Sequence, residues 1–275
     1  MEKEPAPVIE PTKEFNDSGV LFERLNNPRV KAQLISLYED AYNARAQTGN
    51  PVTRALVDAN TNEMARDAEG ALMLETVSYI PPTREEIEKM INERLKEAQM
   101  VTNVDYLDTH VVPTNELMNL NWKIPQTGET PNIRQWSVVE GHEKGHNVRQ
   151  FGHVDIADYI KNRFYKGFDL AQPMFDQSLY EDLYQKMIPG VSFEEAKQAF
   201  YSTIQEPAEL AERMSQLKNY FGMKANEEFT KEHLDYARTH YVDDTRFDNL
   251  MTQFFQAITA EKEKEFLTLM NTVGI

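Results

Sequence analysis

Apolar residues recur at helical spacing along much of this chain. After Pro28 they fall on one side of a helix, at Val30, Leu34, Leu37 and Tyr38. Apolar positions three and four residues apart form a stripe that one helix can bury against a core. Proline is tolerated in the first turn of a helix, so this pattern predicts a helix that begins at Pro28.

Start and stop signals mark several further helices. Thr83 with Glu86, and Ser192 with Glu195, have the spacing of a capping box, in which a hydroxyl and a carboxylate satisfy the first free amides of a helix. Pro207 suits a first turn and Gly222 a C-terminal cap, which predicts one helix between them. Similar patterns continue towards residue 272, so the second half of the chain is predicted to be almost wholly helical.

Only one segment favours a strand. Residues 71–80, ALMLETVSYI, are apolar and β-branched, and two prolines close them. Residues 102–130 have no clear period and mark a possible sub-boundary. Residues 1–19 are rich in proline and glutamate and are predicted to form a flexible tail. The predicted fold is therefore mostly α with a minor β component, in a single domain over residues 20–275.

Composition excludes some functions. The chain has a formal net charge of −16, which disfavours binding to the phosphates of nucleic acids. No stretch approaches the ~20 apolar residues that span a bilayer, and the first residues lack the apolar core of a secretory signal, so we expect a cytoplasmic protein. With no cysteine, any metal must be bound by His, Asp or Glu.

The segment from Gly141 to His146, GHEKGH, lies inside a predicted helix. Thr130 and Pro131 are expected to open this helix, and Gly152 to end it. Gly141 and Gly145 each cost a helix roughly 1 kcal/mol relative to alanine. Two glycines in this position suggest that another backbone, or a substrate, comes close to the helix there.

Two histidines four residues apart share one face of a helix. His142 and His146 can therefore point both imidazoles at one tetrahedral zinc ion. Glu143 lies about 100° further around the helix, where a carboxylate can take a proton from water activated by the metal. The spacing predicts metal-assisted hydrolysis, whereas the simpler interpretation is a surface helix that happens to carry two histidines.

The segment HEKGH at 142–146 resembles the active-site helix of the zincin metallopeptidases. This resemblance implies that His142 and His146 bind zinc, that Glu143 is the general base, and that the substrate is a peptide or protein. It covers one helix closely and says little about residues 1–120.

The third zinc ligand has two kinds of candidate. His153 arrives one residue late for the metzincin pattern H-E-x-x-H-x-x-G-x-x-H, and Arg149 replaces its glycine. In gluzincins, a glutamate on a later helix completes the site. Glu209 is our preferred ligand, with Glu206 or Glu212 as alternatives or as hydrogen-bond partners of a histidine.

The helix that carries Glu209 also resembles a known pattern. Pro207, Glu209, Leu210 and Arg213 match P-x-E-[LI]-x-x-R, which follows the HExxH helix in uncharacterised bacterial and phage zincin-like proteins. Without a metal, Glu209 and Arg213 are simply an ion pair four residues apart on a helix.

Several alternatives stay open on the sequence alone. The oxyanion of a hydrolytic reaction could be stabilised by His233, His240, Tyr241 or Arg213, and the spacing selects none of them. A structural or interaction protein on a zincin-like scaffold could bind zinc without turnover, and a helical interaction protein could bind no metal at all. The oligomeric state is not indicated.

Overall fold

The structure is a computed structural model that describes residues 9–13, 15–58, 61, 63–100, 128–130, 132–149, 170–245, 249–272 and 275. Most of these residues are helical. The helices are α1 (Asp17–Leu25), α2 (Pro28–Gln47), α3 (Arg84–Met100), α4 (Ile133–Arg149), α5 (Phe193–Gln205), α6 (Pro207–Tyr220), α7 (Lys231–Thr245), α8 (Asn249–Ala257) and α9 (Glu263–Thr272). A π-helical turn at Tyr180–Tyr184 joins two short helical stretches, Gln177–Leu179 and Gln185–Met187.

The predicted start signals of α2 and α5 and the predicted stop signal of α6 are confirmed. The side chain of Asn27 accepts a hydrogen bond from the amide of Arg29 and so caps α2. Ser192 and Glu195 form a reciprocal capping box at α5. At the end of α6, Gly222 has a φ of +63°, and the amide of Met223 donates a hydrogen bond to the carbonyl of Lys218 at 2.9 Å. This is the Schellman arrangement that a C-terminal glycine predicts.

The minor β component is a two-stranded ribbon. Strand β1 (Val52–Ala55) pairs antiparallel with β2 (Leu74–Val77). The sequence predicted β2 within residues 71–80, but it missed β1. Much of the ribbon faces solvent, and the Leu74 side chain is 63% exposed. Among the described residues, no edge strand of this ribbon lies along α4.

The core forms where α4 packs against other helices. Helix α4 contacts α1, α3, α6 and α7. Val138 and Val148 of α4 are fully buried, as are Leu210 and Leu217 of α6. Each helix therefore buries an apolar stripe, which fixes the side chains on its remaining faces relative to its neighbours.

Two predicted boundaries were wrong. The predicted tail ran to residue 19, but α1 begins at Asp17, a side chain only 1% exposed. Burial of this carboxylate against α4 orders residues that composition alone assigned to the tail. Helix α4 begins at Ile133, so Thr130 is not its N-cap. The predicted end of this helix at Gly152 and the irregular segment at 102–127 lie outside the described residues.

The predicted fold class is confirmed at the level of a mostly helical protein with a small sheet. In the part of the chain that the structure describes, no helix combines the length and the apolar character required to cross a membrane.

Candidate metal centre

Helix α4 is capped by Asn132 and Gln135. The Asn132 side chain accepts a hydrogen bond from the Gln135 amide at 2.9 Å, and the Gln135 side chain accepts one from the Asn132 amide at 2.7 Å. This reciprocal pair satisfies two of the free amides at the helix start. It fixes the first turn of α4, two turns before the predicted metal ligands.

The two glycines of GHEKGH allow close packing. A Cβ atom on Gly141 would lie 2.8 Å from the Cβ of Asp17, and one on Gly145 would lie 2.6 Å from the carboxyl carbon of Glu212. Both distances are shorter than real Cβ contacts permit. The glycines therefore leave room for α1 and for a side chain of α6. The parts of the chain that come close to α4 at these glycines are thus Asp17 and Glu212.

Three predicted ligands converge between α4 and α6. The Nε2 atoms of His142 and His146 are 3.0 Å apart. The Glu209 carboxylate lies 3.4 Å from His142 Nε2 through Oε2 and 3.2 Å from His146 Nε2 through Oε1. The possible ligand atoms of all three residues lie within 4.8 Å of one another, so these residues could hold a metal ion.

These distances fit a small cation. Ligands bound tetrahedrally at about 2.0–2.1 Å are themselves roughly 3.3–3.4 Å apart. The ligand-to-ligand distances here, 3.0, 3.2 and 3.4 Å, are close to that spacing. Three lone-pair atoms so close together repel one another unless a proton or a metal ion lies between them. Two imidazoles and one carboxylate are also a donor set that zinc accepts.

The charges of these ligands are strongly coupled. Burial by itself disfavours the imidazolium of His142, but the Glu209 carboxylate raises the pKa of His142 to about 9. Burial likewise disfavours the Glu209 carboxylate, but His142, His146 and Arg213 hold the pKa of Glu209 well below its usual range. Without a metal, a proton on His142 supplies positive charge beside this carboxylate.

Each of the two histidines has a second ring nitrogen, Nδ1, besides the Nε2 atom that lies near the other predicted ligands. Both Nδ1 atoms are buried, and neither has a hydrogen-bond partner among the described residues. Histidines that bind a metal through Nε2 usually donate a hydrogen bond from the other nitrogen. The described residues thus bring together three predicted ligands but supply no acceptor for either Nδ1–H group.

Glu143 follows His142 on α4. Burial raises the pKa of its carboxyl group above the usual value, while the two neighbouring histidines act in the opposite direction. A raised pKa brings a carboxylate closer to the range in which it exchanges protons at neutral pH.

The alternative ligands lie elsewhere. Glu206 is exposed at the N-cap of α6 and makes no side-chain cap. Glu212 is 1% exposed and pairs with Arg149 of α4, so its carboxylate accepts from this arginine and not, as predicted, from a histidine. His153 lies outside the described residues. Of the carboxylates considered, Glu209 is the one that joins the two histidines.

Of the four candidates for oxyanion stabilisation, the structure brings Arg213 into contact with a predicted ligand. The Nη2 atom of Arg213 lies 3.4 Å from Glu209 Oε2 and so contacts a predicted ligand. His233 instead accepts a hydrogen bond from the Thr230 amide at the start of α7, and His240 contacts the carbonyl of Tyr236. Tyr241 is fully buried.

Sequence reasoning missed the polar network around the ligand helices. Arg134 of α4 contacts the Asp17 carboxylate at 2.9 Å, and Arg24 of α1 donates to Ser215 and Asn219 of α6. These partners are more than 100 residues apart in the sequence. In the sequence, the only indication of these contacts is the spacing of Asp17 and Arg24, which places both side chains on one face of α1.

No protein-family model matches this chain, and neither the curated proteins nor the solved structures include a significant match.

Proposed function

We propose that the protein is a zinc-dependent hydrolase of peptide bonds, with His142, His146 and Glu209 as the metal ligands and Glu143 as the general base. The observation that supports this most is the convergence of those three side chains from two helices within 4.8 Å. In this proposal, the zincin-like core consists of α4 and α6, which carry the ligands.

Bound zinc supplies a Lewis acid that polarises a carbonyl group and makes water more acidic. Glu143 accepts a proton from the attacking water and then gives it to the leaving amine, a role that a buried carboxylate with a raised pKa suits. Arg213 keeps the Glu209 carboxylate in place through its contact at 3.4 Å. Peptide as the substrate class comes from the resemblance of HEKGH to the zincin helix.

A second function is favoured by the burial of the ligands. Their side chains are only 12%, 8% and 21% exposed for His142, His146 and Glu209. A closed site of this kind suits a structural zinc ion that stabilises the helices without turnover. The two functions make the same prediction for metal content and different predictions for hydrolysis.

The first experiment measures metal content by mass spectrometry after incubation with zinc and removal of excess ion. We expect about one zinc per wild-type chain, because a catalytic site takes three protein ligands. His146→Ala and Glu209→Ala should lose most of it. Glu206→Ala is the matched control, since Glu206 is an exposed carboxylate beside the same helix start, and it should keep its zinc. Equal zinc in all four proteins would contradict the site.

The second experiment measures hydrolysis of a fluorescently labelled unfolded protein. Glu143→Gln should retain zinc and lose activity by roughly 10²–10⁴-fold, the usual contribution of a general base. Wild-type protein that binds stoichiometric zinc, gains thermal stability from it and cleaves nothing would replace hydrolysis by the structural function.

A further inference from the structure

A second ionic contact joins the two helices that carry the ligands. Arg149 lies three residues after His146 on α4, and Glu212 lies three residues after Glu209 on α6. Arg149 donates to the Glu212 carboxylate. The contact between Arg149 and Glu212 therefore repeats the contact between His146 and Glu209, one helical turn further along both helices.

This pair is enclosed by the fold. The side chains of Arg149 and Glu212 are 9% and 1% exposed. The carboxylate of Glu212 rests against Gly145, where a Cβ atom would lie 2.6 Å from its carboxyl carbon and 3.0 Å from Arg149 Nη1. Glu212 can occupy this position only because α4 lacks a side chain there.

The surrounding charges keep Glu212 in place. The hydroxyl of Ser215 lies 3.5 Å from Arg149 Nη2 and 3.1 Å from Arg24 Nη2. Two guanidinium groups thus meet at one hydroxyl, and Glu212 is the buried carboxylate that forms an ion pair with one of them, that of Arg149. Moving Glu212 away would leave the buried guanidinium of Arg149 without its ion-pair partner, beside the like charge of Arg24, which is strongly unfavourable.

We propose that the Arg149–Glu212 pair is a positioning device that sets the placement of α6 against α4, so that Glu209 reaches the ion held by His142 and His146. This inference rests on the proposed metal centre. Metal sites tolerate ligand displacements of only about 0.5 Å, and supporting contacts usually provide that precision. The pair acts through the helices, because neither residue is among the three possible ligands.

The test compares two buried carboxylates that pair with arginines of the same helix. Glu212→Gln removes the carboxylate charge of the ion pair between α6 and α4, whereas Asp17→Asn removes that of the ion pair between α1 and Arg134 of α4. Both carboxylates are 1% exposed and both substitutions preserve shape. Zinc affinity is measured by competition with a chelator, at a temperature where circular dichroism shows each protein folded.

Glu212→Gln is expected to weaken zinc binding about tenfold, in the range found for residues that support ligands. The zinc affinity of Asp17→Asn should remain within about twofold of wild type, even if its thermal midpoint falls as far as that of Glu212→Gln. The absorption spectrum of bound cobalt should change in Glu212→Gln alone, because displacement of Glu209 alters the coordination that cobalt reports. A merely structural role would lower the thermal midpoints without this difference.

Arg149→Lys gives a milder second variant, because lysine keeps the charge and loses the planar fork of arginine. It should also weaken zinc binding, by a smaller factor than Glu212→Gln. Wild-type zinc affinity in both Glu212→Gln and Arg149→Lys, or equal losses in Glu212→Gln and Asp17→Asn, would overturn the positioning function and leave the metal centre intact. Wild-type protein that binds no zinc would instead overturn the proposed function, and this inference with it.

Discussion

Gly145 lies inside helix α4 although glycine has a low propensity for helices. Alanine is favoured over glycine inside a helix by roughly 1 kcal/mol. At this position, however, a methyl group would enter the space of the Glu212 carboxylate. Overfilling a packed site costs about 1–3 kcal/mol, and displacing one partner of a buried ion pair costs about 3–5 kcal/mol. The packing effect is therefore the larger one.

We expect Gly145→Ala to lower the free energy of unfolding by about 2 kcal/mol, against the helix propensity. The measurement is urea denaturation followed by circular dichroism. Ile133→Ala on the same helix is the control, because Ile133 is 68% exposed and should change stability little. A more stable Gly145→Ala protein would show that Glu212 does not pack against α4 as described.

The residues of the proposed metal centre differ in how far the sequence could identify them. His142, Glu143 and His146 follow from spacing along one helix, which requires no tertiary information. Glu209 required a resemblance, because its approach to the histidines depends on how α6 packs against α4. Arg149 and Glu212 pair across 63 positions of sequence, and each has the pattern of an ordinary helix-surface charge. Only the packed structure distinguishes them.

The capping boxes explain how α3 and α5 begin. At α3, the Glu86 carboxylate accepts hydrogen bonds from the amide and the hydroxyl of Thr83, at 2.7 and 2.8 Å. These bonds lower the pKa of Glu86 below its usual value of 4.5. Hydrogen bonds from Ser192 lower the pKa of Glu195 at α5 in the same way.

A folded-state pKa below the unfolded value fixes the pH dependence of this contribution. The stabilisation is fully present above pH 4.5 and is lost as the pH falls through the folded-state pKa of Glu86. We expect Glu86→Gln to lower the urea midpoint at pH 7, and we expect this difference from wild type to shrink below pH 4.5.

Glu88→Gln is the control for that series, since Glu88 is an exposed carboxylate two residues beyond the box. Its urea midpoint should follow the wild-type profile across the whole pH range. A Glu86→Gln difference that stays constant between pH 7 and pH 3 would contradict the capping function of the carboxylate.

At the level of elements, local signals predicted more than long-range ones. The starts of α2, α3 and α5 depend on residues within one turn, and all three were predicted from the sequence. Strand β1 was missed because VTRA is short and shows no apolar alternation. The predicted N-cap of α4 was wrong by two residues. Thr130 and Asn132 both suit the position, and the reciprocal hydrogen bonds with Gln135 favour Asn132.

The whole chain carries a formal net charge of −16, so its charges repel one another in the folded state. Salt screens exposed charges strongly and buried pairs much less. Raising the ionic strength from roughly 0.01 M to 0.15 M shortens the Debye length from about 30 Å to about 8 Å. The surface repulsion should weaken, while the buried ion pairs around α4 should persist.

We therefore expect the thermal midpoint of the zinc-free protein to rise with sodium chloride by about 2–4 °C, which corresponds to roughly 1 kcal/mol for a chain of this size. Differential scanning calorimetry with a chelator present measures this shift. At pH 4 the rise should be smaller, because part of the carboxylates are then neutral. A midpoint that falls with salt would mean that exposed ion pairs outweigh the net repulsion.

The buried charges have the opposite sign to the net charge. Among the described residues, the buried cationic side chains are Arg24, Arg134, Lys144, Arg149, Arg213 and Lys218, whereas the buried carboxylates are Asp17 and Glu212. The outer shell is accordingly more anionic than the net charge alone indicates. Such a shell gathers a counterion atmosphere, in which divalent ions are enriched over monovalent ones. The exposed surface should therefore attract cations, and divalent ions more strongly than monovalent ones.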